Sequence, residues 1–226
     1  MSNLQSLPGG RQLRVEPLAT GAEARLTNAG ARRVVVCVNG GQANEVPGTW
    51  SASLEWLVVR LAPRFRELGF VEVRYRIKSW RKLDLCIEDA RAAVRGHGGE
   101  RTLLLGFSMG GAVAISAADE ERVERVLGLA PWIPARLDVA PLDGKRLDVI
   151  HGSLDRSLPG IPGVSASSSR AGYDRVRARG VDGSYTLIRG AVHSAAVRAG
   201  GGRLVSLPRA RAWANAVAAQ LEEFTG

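Results

Sequence analysis

The stretch TLLLGFSMGG, residues 102–111, holds the most informative pattern of the sequence. Its first half is largely apolar and typical of a buried strand, while the small residues after Ser108 are typical of a closely packed helix. Gly106 and Gly110 flank the serine and leave space for a strand and a helix to approach each other. We therefore expect Ser108 at a sharp strand-to-helix turn, beside the free N–H groups of a helix N-terminus.

The segments on either side of this stretch alternate between strand and helix patterns. Short β-branched or apolar runs predict strands, and apolar residues at helical spacing predict the helices between them. This alternation favours an α/β fold, with a mostly parallel central sheet and helices on both faces, in one domain over residues 1–226. The predicted strands are 12–16, 23–27, 33–38, 70–75, 101–107, 123–129, 146–150 and 184–188, and the predicted helices are 54–68, 83–94, 108–118, 167–179 and 207–224.

The composition narrows the class of protein. Of 226 residues 45% are hydrophobic and 23% are charged, which is ordinary for a globular protein. No apolar run is long enough to cross a bilayer, and the first residues lack the pattern of a signal peptide. Cys37 and Cys86 form neither a disulfide framework nor a zinc-ligand pattern. We therefore expect a cytoplasmic protein with no metal and no membrane association.

The net charge of +9 comes from 31 Lys and Arg residues against 22 Asp and Glu residues. All but three of the basic residues are arginines, and they are spread along the chain from Arg11 to Arg211. Aromatic residues make up only 5%, which leaves few side chains for stacking on bases. We interpret the charge as a compositional bias of the surface and do not expect nucleic acid as a partner.

Histidine is scarce, which restricts the choice of a general base for Ser108. His97 precedes the serine and is expected at a solvated helix end. His151 ends a predicted strand and is interpreted as structural. His193 lies in a predicted loop after the last strand, where a side chain is accessible to a substrate, so it is the favoured base.

We also expect, after Ser108 in the chain, an acidic residue that orients the histidine. Asp155 follows the carboxyl end of a predicted strand, which is where open α/β sheets place their sites. Asp148 lies inside that strand and Asp143 lies before it, and both stay open as alternatives.

Two of these runs resemble motifs of the α/β-hydrolase superfamily: GFSMG at 106–110 and HGSLD at 151–155. The likeness extends from Arg33 to Phe224. Family members often carry His-Gly-x-x-Asp after the seventh strand and the catalytic histidine after the eighth. The resemblance therefore implies the α/β-hydrolase fold, with Ser108 as nucleophile, Asp155 as the acid and His193 as the base.

The loop after the predicted strand 33–38 departs from the family pattern. Many members have His-Gly there, whereas this chain has Asn39-Gly40-Gly41. The family's oxyanion hole uses a backbone N–H of this loop, so the resemblance implies Gly41 N–H and Met109 N–H as its donors. The run LAPWIP, residues 129–134, further resembles a group of small actinobacterial hydrolases.

A serine nucleophile favours hydrolysis of a small carboxylic ester or thioester through an acyl-enzyme, without a cofactor. Residues 131–145 are too few for a large helical cap, so we expect an open site with minimal or no cap. Trp132 is a candidate for the wall of the substrate pocket, with a place in the core as the alternative. A non-catalytic binding protein of the same fold, an acyltransferase or a peptidase with the same triad are the alternative functions.

Overall fold

The computed structural model describes residues 3–7, 11–156 and 163–226. Its helices, numbered along the chain, are α1 (Ala52–Leu61), α2 (Leu83–His97), α3 (Met109–Ser116), α4 (Ala166–Arg177) and α5 (Ala210–Thr225). Its strands are β1 (Asn3–Leu7), β2 (Arg11–Pro17), β3 (Glu23–Thr27), β4 (Arg33–Val38), β5 (Val46–Pro47), β6 (Leu68–Arg74), β7 (Ile77–Lys78), β8 (Arg101–Phe107), β9 (Val123–Leu129), β10 (Arg146–Gly152), β11 (Tyr185–Ile188), β12 (Ala196–Arg198) and β13 (Leu204–Ser206).

The main sheet has nine strands in the order β1-β2-β3-β6-β4-β8-β9-β10-β11. The strands from β6 to β11 in this order are parallel to their neighbours, while β1, β2 and β3 pair antiparallel with each other and with β6. The predicted α/β class with a mostly parallel sheet is therefore confirmed. Two short ladders, β5 with β7 and β12 with β13, lie outside this sheet.

The sheet changes its direction of growth at β4. The chain adds β6 on one side of β4 and then β8 on the other, so β4 and β8 are neighbours, with Val38 opposite Gly106. A crevice at the carboxyl ends of two such strands is the usual ligand site of an open α/β sheet. Here the two segments that leave this point are the loop 39–41 and the turn at Ser108.

Helices cover both faces of the sheet because its parallel strands are apolar on both sides. The strand β4 is buried from Val34 to Val38. Side chains of α1 and α5, including the buried Trp213, form the core on one face, and side chains of α2, α3 and α4 form the core on the other. The helices thereby hold the carboxyl ends of β4, β8, β9 and β10 in fixed positions.

The first helix is shorter than the sequence predicts. Helix 54–68 was expected to stop at Gly69, but α1 ends at Leu61 and Gly69 lies inside β6. Pro63 has no N–H and its ring clashes with the preceding turn, so the helix stops there. After the helix, Asn28 Nδ2 donates to the carbonyl oxygens of Ala62, Phe65 and Leu68, at 3.2, 3.3 and 3.1 Å.

The segment between β9 and β10 contains loop and a single 3-10 turn, Ala140–Leu142, so it forms no helical cap. The expectation of a minimal cap is confirmed for this segment. Among the described residues, none of the helices combines the length and the apolar character needed to cross a membrane.

Candidate active site

Ser108 adopts a strained backbone conformation between β8 and α3. Its φ is 57° and its ψ is −120°, which side chains with a Cβ rarely adopt. The turn is possible because both flanking positions are glycines: a Cβ at Gly106 would lie 2.2 Å from the carbonyl oxygen of Gly110, and a Cβ at Gly110 would lie 2.3 Å from that of Val38. The Ser108 side chain makes no capping hydrogen bond to α3. Its hydroxyl is thus kept out of the helix-cap role that serine commonly fills.

His193 and Asp155 are in contact, as the predicted roles require. His193 Nδ1 lies 2.7 Å from Asp155 Oδ2, and Asp155 Oδ1 accepts a hydrogen bond of 3.2 Å from Val164 N–H. Because an ionised carboxylate only accepts hydrogen bonds, Nδ1 is the donor, and in the neutral ring the lone pair then lies on Nε2. The His193 ring lies beside the Phe107 ring, with centroids 5.0 Å apart, and Phe107 directly precedes Ser108. Among the described side chains no hydrogen bond joins Ser108 Oγ to His193.

The contact of His151 with Asp155 was not predicted from the sequence, which gave His151 only a structural role at the strand end. His151 is fully buried, and its Nε2 lies 3.2 Å from Asp155 Oδ2 and 2.9 Å from the carbonyl oxygen of Val164. Both partners are acceptors, so Nε2 carries the proton and divides it between them. Asp155 therefore receives hydrogen bonds from two histidines. The signal that could have revealed this is the spacing of His151 and Asp155, four residues apart in one short run.

The protonation of Asp155 follows from these contacts. Burial raises the pKa of this carboxyl, but the hydrogen bonds from His151 and His193 outweigh burial and hold the pKa below its ordinary value. A carboxylate that stays ionised at neutral pH can stabilise a histidine that becomes protonated.

The two alternative acids lie elsewhere. Asp148 is buried in β10, where it accepts hydrogen bonds from Arg146 and from the backbone N–H and hydroxyl of Ser184. Asp143 forms an ion pair of 2.9 Å with Arg179. Neither contacts a histidine among the described residues.

The loop after β4 lies against the strained turn. A Cβ at Gly40 would lie 3.2 Å from Ser108 Cβ, and a Cβ at Gly41 would lie 2.1 Å from Met109 Sδ. Gly40 N–H donates to Asn39 Oδ1 at 2.7 Å, whereas Gly41 N–H makes no hydrogen bond to the described part of the chain. Asn39 itself is held by Nδ2 donating to Thr49 O and by Tyr75 O–H donating to Asn39 O.

A cavity of about 290 Å³ lies beside the serine. Ser108, Met109, Trp80, Trp132, Arg136 and residues 163–164 line it. Trp132 is thus placed at the cavity rather than wholly in the core. Larger hollows lie by His97, which is 3.6 Å from Glu16, and contain none of the residues just described. We regard the small cavity as the relevant one because it adjoins the strained serine.

Comparison with known proteins finds similarity in structure. No family model matches the chain, and no curated protein matches it. A dienelactone hydrolase-like promiscuous phosphotriesterase P91 from metagenomic libraries has a TM-score of 0.68 and 16% identity, over 95% of this chain and 99% of that one. The Pyrococcus furiosus esterase PF2001 has a TM-score of 0.64 and 15% identity, over 98% of this chain and 94% of that one. A CIB-like hydrolase from Thermoplasma acidophilum has a TM-score of 0.62 and 16% identity, over 95% of this chain and 100% of that one.

Proposed function

Because this chain has the α/β-hydrolase fold, we propose that it is a serine hydrolase that cleaves a carboxylic ester or thioester through an acyl-enzyme on Ser108. The fold hosts many functions, so the site has to carry the proposal. The supporting observation is the 2.7 Å contact of His193 with Asp155 beside Phe107, the residue that precedes the strained serine.

The proposed reaction begins with proton transfer. His193 Nε2 accepts the proton of Ser108 Oγ while the oxygen attacks the substrate carbonyl. Asp155 holds His193 through Nδ1 and stabilises its charged form. In such sites the hydrogen bond between nucleophile and base often tightens only in the substrate complex.

The oxyanion of the tetrahedral intermediate is stabilised by backbone N–H groups in this proposal. Met109 N–H lies at the first turn of α3, and Gly41 N–H comes from the loop that packs on Met109. His193 then returns the proton to the leaving alcohol or thiol. A water, deprotonated by the same histidine, hydrolyses the acyl-enzyme and releases the acid.

The test is covalent labelling together with turnover. The wild-type protein is expected to react with a fluorophosphonate probe and to hydrolyse some member of a panel of 4-nitrophenyl esters of graded chain length. Ser108→Ala should abolish the labelling, and Ser108→Ala and His193→Ala should each lower turnover by several orders of magnitude. A phosphotriester belongs in the panel, because one similar structure is described as a promiscuous phosphotriesterase.

The same experiment separates the alternatives. A binding protein without catalysis would leave the probe unreacted and every ester intact, which would contradict the proposal. An acyltransferase would release more nitrophenol when an acceptor alcohol or amine is added, and a peptidase would cleave the matching anilides.

The proposal also covers the binding partner of the protein and its location in the cell. The substrate is a small molecule, and the surface charge is not used to bind nucleic acid, so no salt-dependent retention on DNA or RNA is expected. A cytoplasmic location is supported by Cys37 and Cys86, which are both unpaired and buried thiols.

A further inference from the structure

Arg136 is a cation at the cavity of the proposed active site. It lines the same 290 Å³ cavity as Ser108, Trp80 and Trp132, and it is exposed. It comes from the loop after β9, in a turn closed by a hydrogen bond of 2.9 Å from Leu137 N–H to Pro134 O. The turn therefore presents the arginine towards the cavity rather than burying it.

This turn is held in place from a neighbouring helix. Arg175 of α4 donates from Nη1 to Leu137 O at 3.0 Å and from Nη2 to Pro134 O at 2.8 Å. One guanidinium thus binds the carbonyls at both ends of the turn that carries Arg136. A side chain presented by a fixed backbone loses less conformational entropy when it binds a ligand.

Arg136 has no partner within the described residues: no carboxylate lies within 4.0 Å, no hydrogen bond forms and no aromatic ring is stacked on it. Arg136 differs in this from Arg170, which pairs with Asp174, and from Arg179, which pairs with Asp143. The adjacent Asp138 accepts a hydrogen bond from Ala140 N–H. Residues 1–2, 8–10 and 157–162 include no Asp or Glu, so the remainder of the chain supplies no side-chain carboxylate either.

We propose that Arg136 determines substrate specificity by binding a carboxylate on the substrate, so that the preferred substrates are anionic esters. This inference rests on the proposed function and names its substrate class. The planar guanidinium matches a carboxylate through two parallel N–H···O bonds. Because Arg136 and Ser108 line the same small cavity, one short diacid chain joins the carboxylate to the scissile carbonyl, and its apolar part lies against the indoles of Trp80 and Trp132.

The first experiment compares matched esters. The mono-4-nitrophenyl esters of straight diacids from adipate to suberate carry a free carboxylate, and their methyl-capped analogues do not. These chains are long enough that the carboxylate does not readily attack its own ester. Arg136→Gln should lower kcat/KM for the anionic esters by about tenfold to a hundredfold, mainly through KM, and that for the capped esters by less than about twofold.

A matched control removes the same charge elsewhere. Arg189 is exposed, follows β11 at the same end of the sheet, does not line the cavity and has no ion pair among the described residues. Arg189→Gln should leave the preference for anionic esters unchanged. Equal losses for anionic and capped esters in Arg136→Gln, or equal losses in both variants, would overturn the inference while leaving the hydrolase proposal intact.

The second experiment does not need turnover. Calorimetry measures binding of monomethyl adipate, which carries a carboxylate, and of dimethyl adipate to Ser108→Ala and to Ser108→Ala with Arg136→Gln. The anion should bind more tightly than the diester to the first protein and lose about tenfold in affinity in the second. If wild-type protein hydrolyses no ester, the proposed function fails and this result still decides the anion site: binding that does not distinguish the two ligands, or no binding, overturns it.

Discussion

The contact of His151 with Asp155 leads to a prediction that a pair of substitutions can test. Glutamine places its amide nitrogen the same number of bonds from Cα as His Nε2. Asparagine instead places its amide nitrogen at the position of Nδ1, a buried atom with no partner among the described residues. His151→Gln therefore keeps a donor for Asp155 and Val164, and His151→Asn removes it.

The magnitude follows from what His151→Asn leaves unpaired. Asp155 Oδ2 keeps only His193, and Val164 O loses its 2.9 Å donor, while both residues are buried. A buried acceptor left without a partner costs about 1–3 kcal/mol, so unfolding in urea should show a loss in this range. We expect kcat/KM for an ester to fall about tenfold, because the carboxylate that orients His193 is less firmly held.

The pH dependence of stability distinguishes this role from simple packing. The hydrogen bonds that lower the pKa of Asp155 contribute stability that is present above the ordinary carboxyl pKa and is lost as the pH falls through the lowered value. The stability difference between wild type and His151→Asn should therefore be largest near neutral pH and shrink in acid. His151→Gln should retain most of the stability and activity. If the two substitutions lose the same amount of both, or if the difference does not change with pH, the reasoning is refuted.

Three further substitutions test other parts of the structure. Ser108→Gly should be about 1 kcal/mol more stable than Ser108→Ala in urea unfolding, since glycine tolerates the positive φ, and equal stabilities would contradict the strain. Gly41→Ala should lower kcat by up to about tenfold, because its Cβ would lie 2.1 Å from Met109 Sδ and crowd the loop that carries the proposed Gly41 N–H donor. Adding Met109→Ala removes that side chain and should restore part of kcat, and a loss that Met109→Ala does not relieve would contradict this explanation. Arg25→Met should lower the free energy of unfolding by about 3–5 kcal/mol in the same unfolding assay, because the buried Glu72, which accepts a 3.0 Å hydrogen bond from Arg25, loses its partner. Adding Glu72→Gln should recover part of the lost stability.

The elements that the sequence predicts best are those with the strongest local signal. The bounds of β4, β8 and β9 agree with the predicted strands 33–38, 101–107 and 123–129, because short apolar runs between turns have few other ways to bury their side chains. The hairpin of β12 and β13 was not predicted, since strands of three residues are too short to show alternation. The end of α1 was misplaced because the apolar period continues through Phe65 and Leu68, which are buried after the helix has ended.

The proposed site was predictable to different degrees for its different residues. Ser108 stands in a local pattern, and the glycines around it permit its strained turn. The pairing of Asp155 with His193 joins residues 38 positions apart, so only their places after neighbouring strands suggested it. Arg136 carried no sequence signal among so many arginines. Arg136 stands out because no carboxylate pairs with it among the described residues. That absence depends on where every acidic side chain of the described chain lies, which the sequence does not reveal.

The order of the strands explains why these residues meet. The carboxyl ends of β4 and β8 are adjacent because the chain places β6 and β8 on opposite sides of β4. The loop with Gly41 and the turn with Ser108 leave the sheet at this one point, and β10 and β11 continue the same parallel array, so that Asp155 and His193 follow strands that end on the same side. A substitution that weakens the pairing of β4 with β8 should therefore displace the Gly41 loop from Ser108 while the contact of Asp155 with His193 persists.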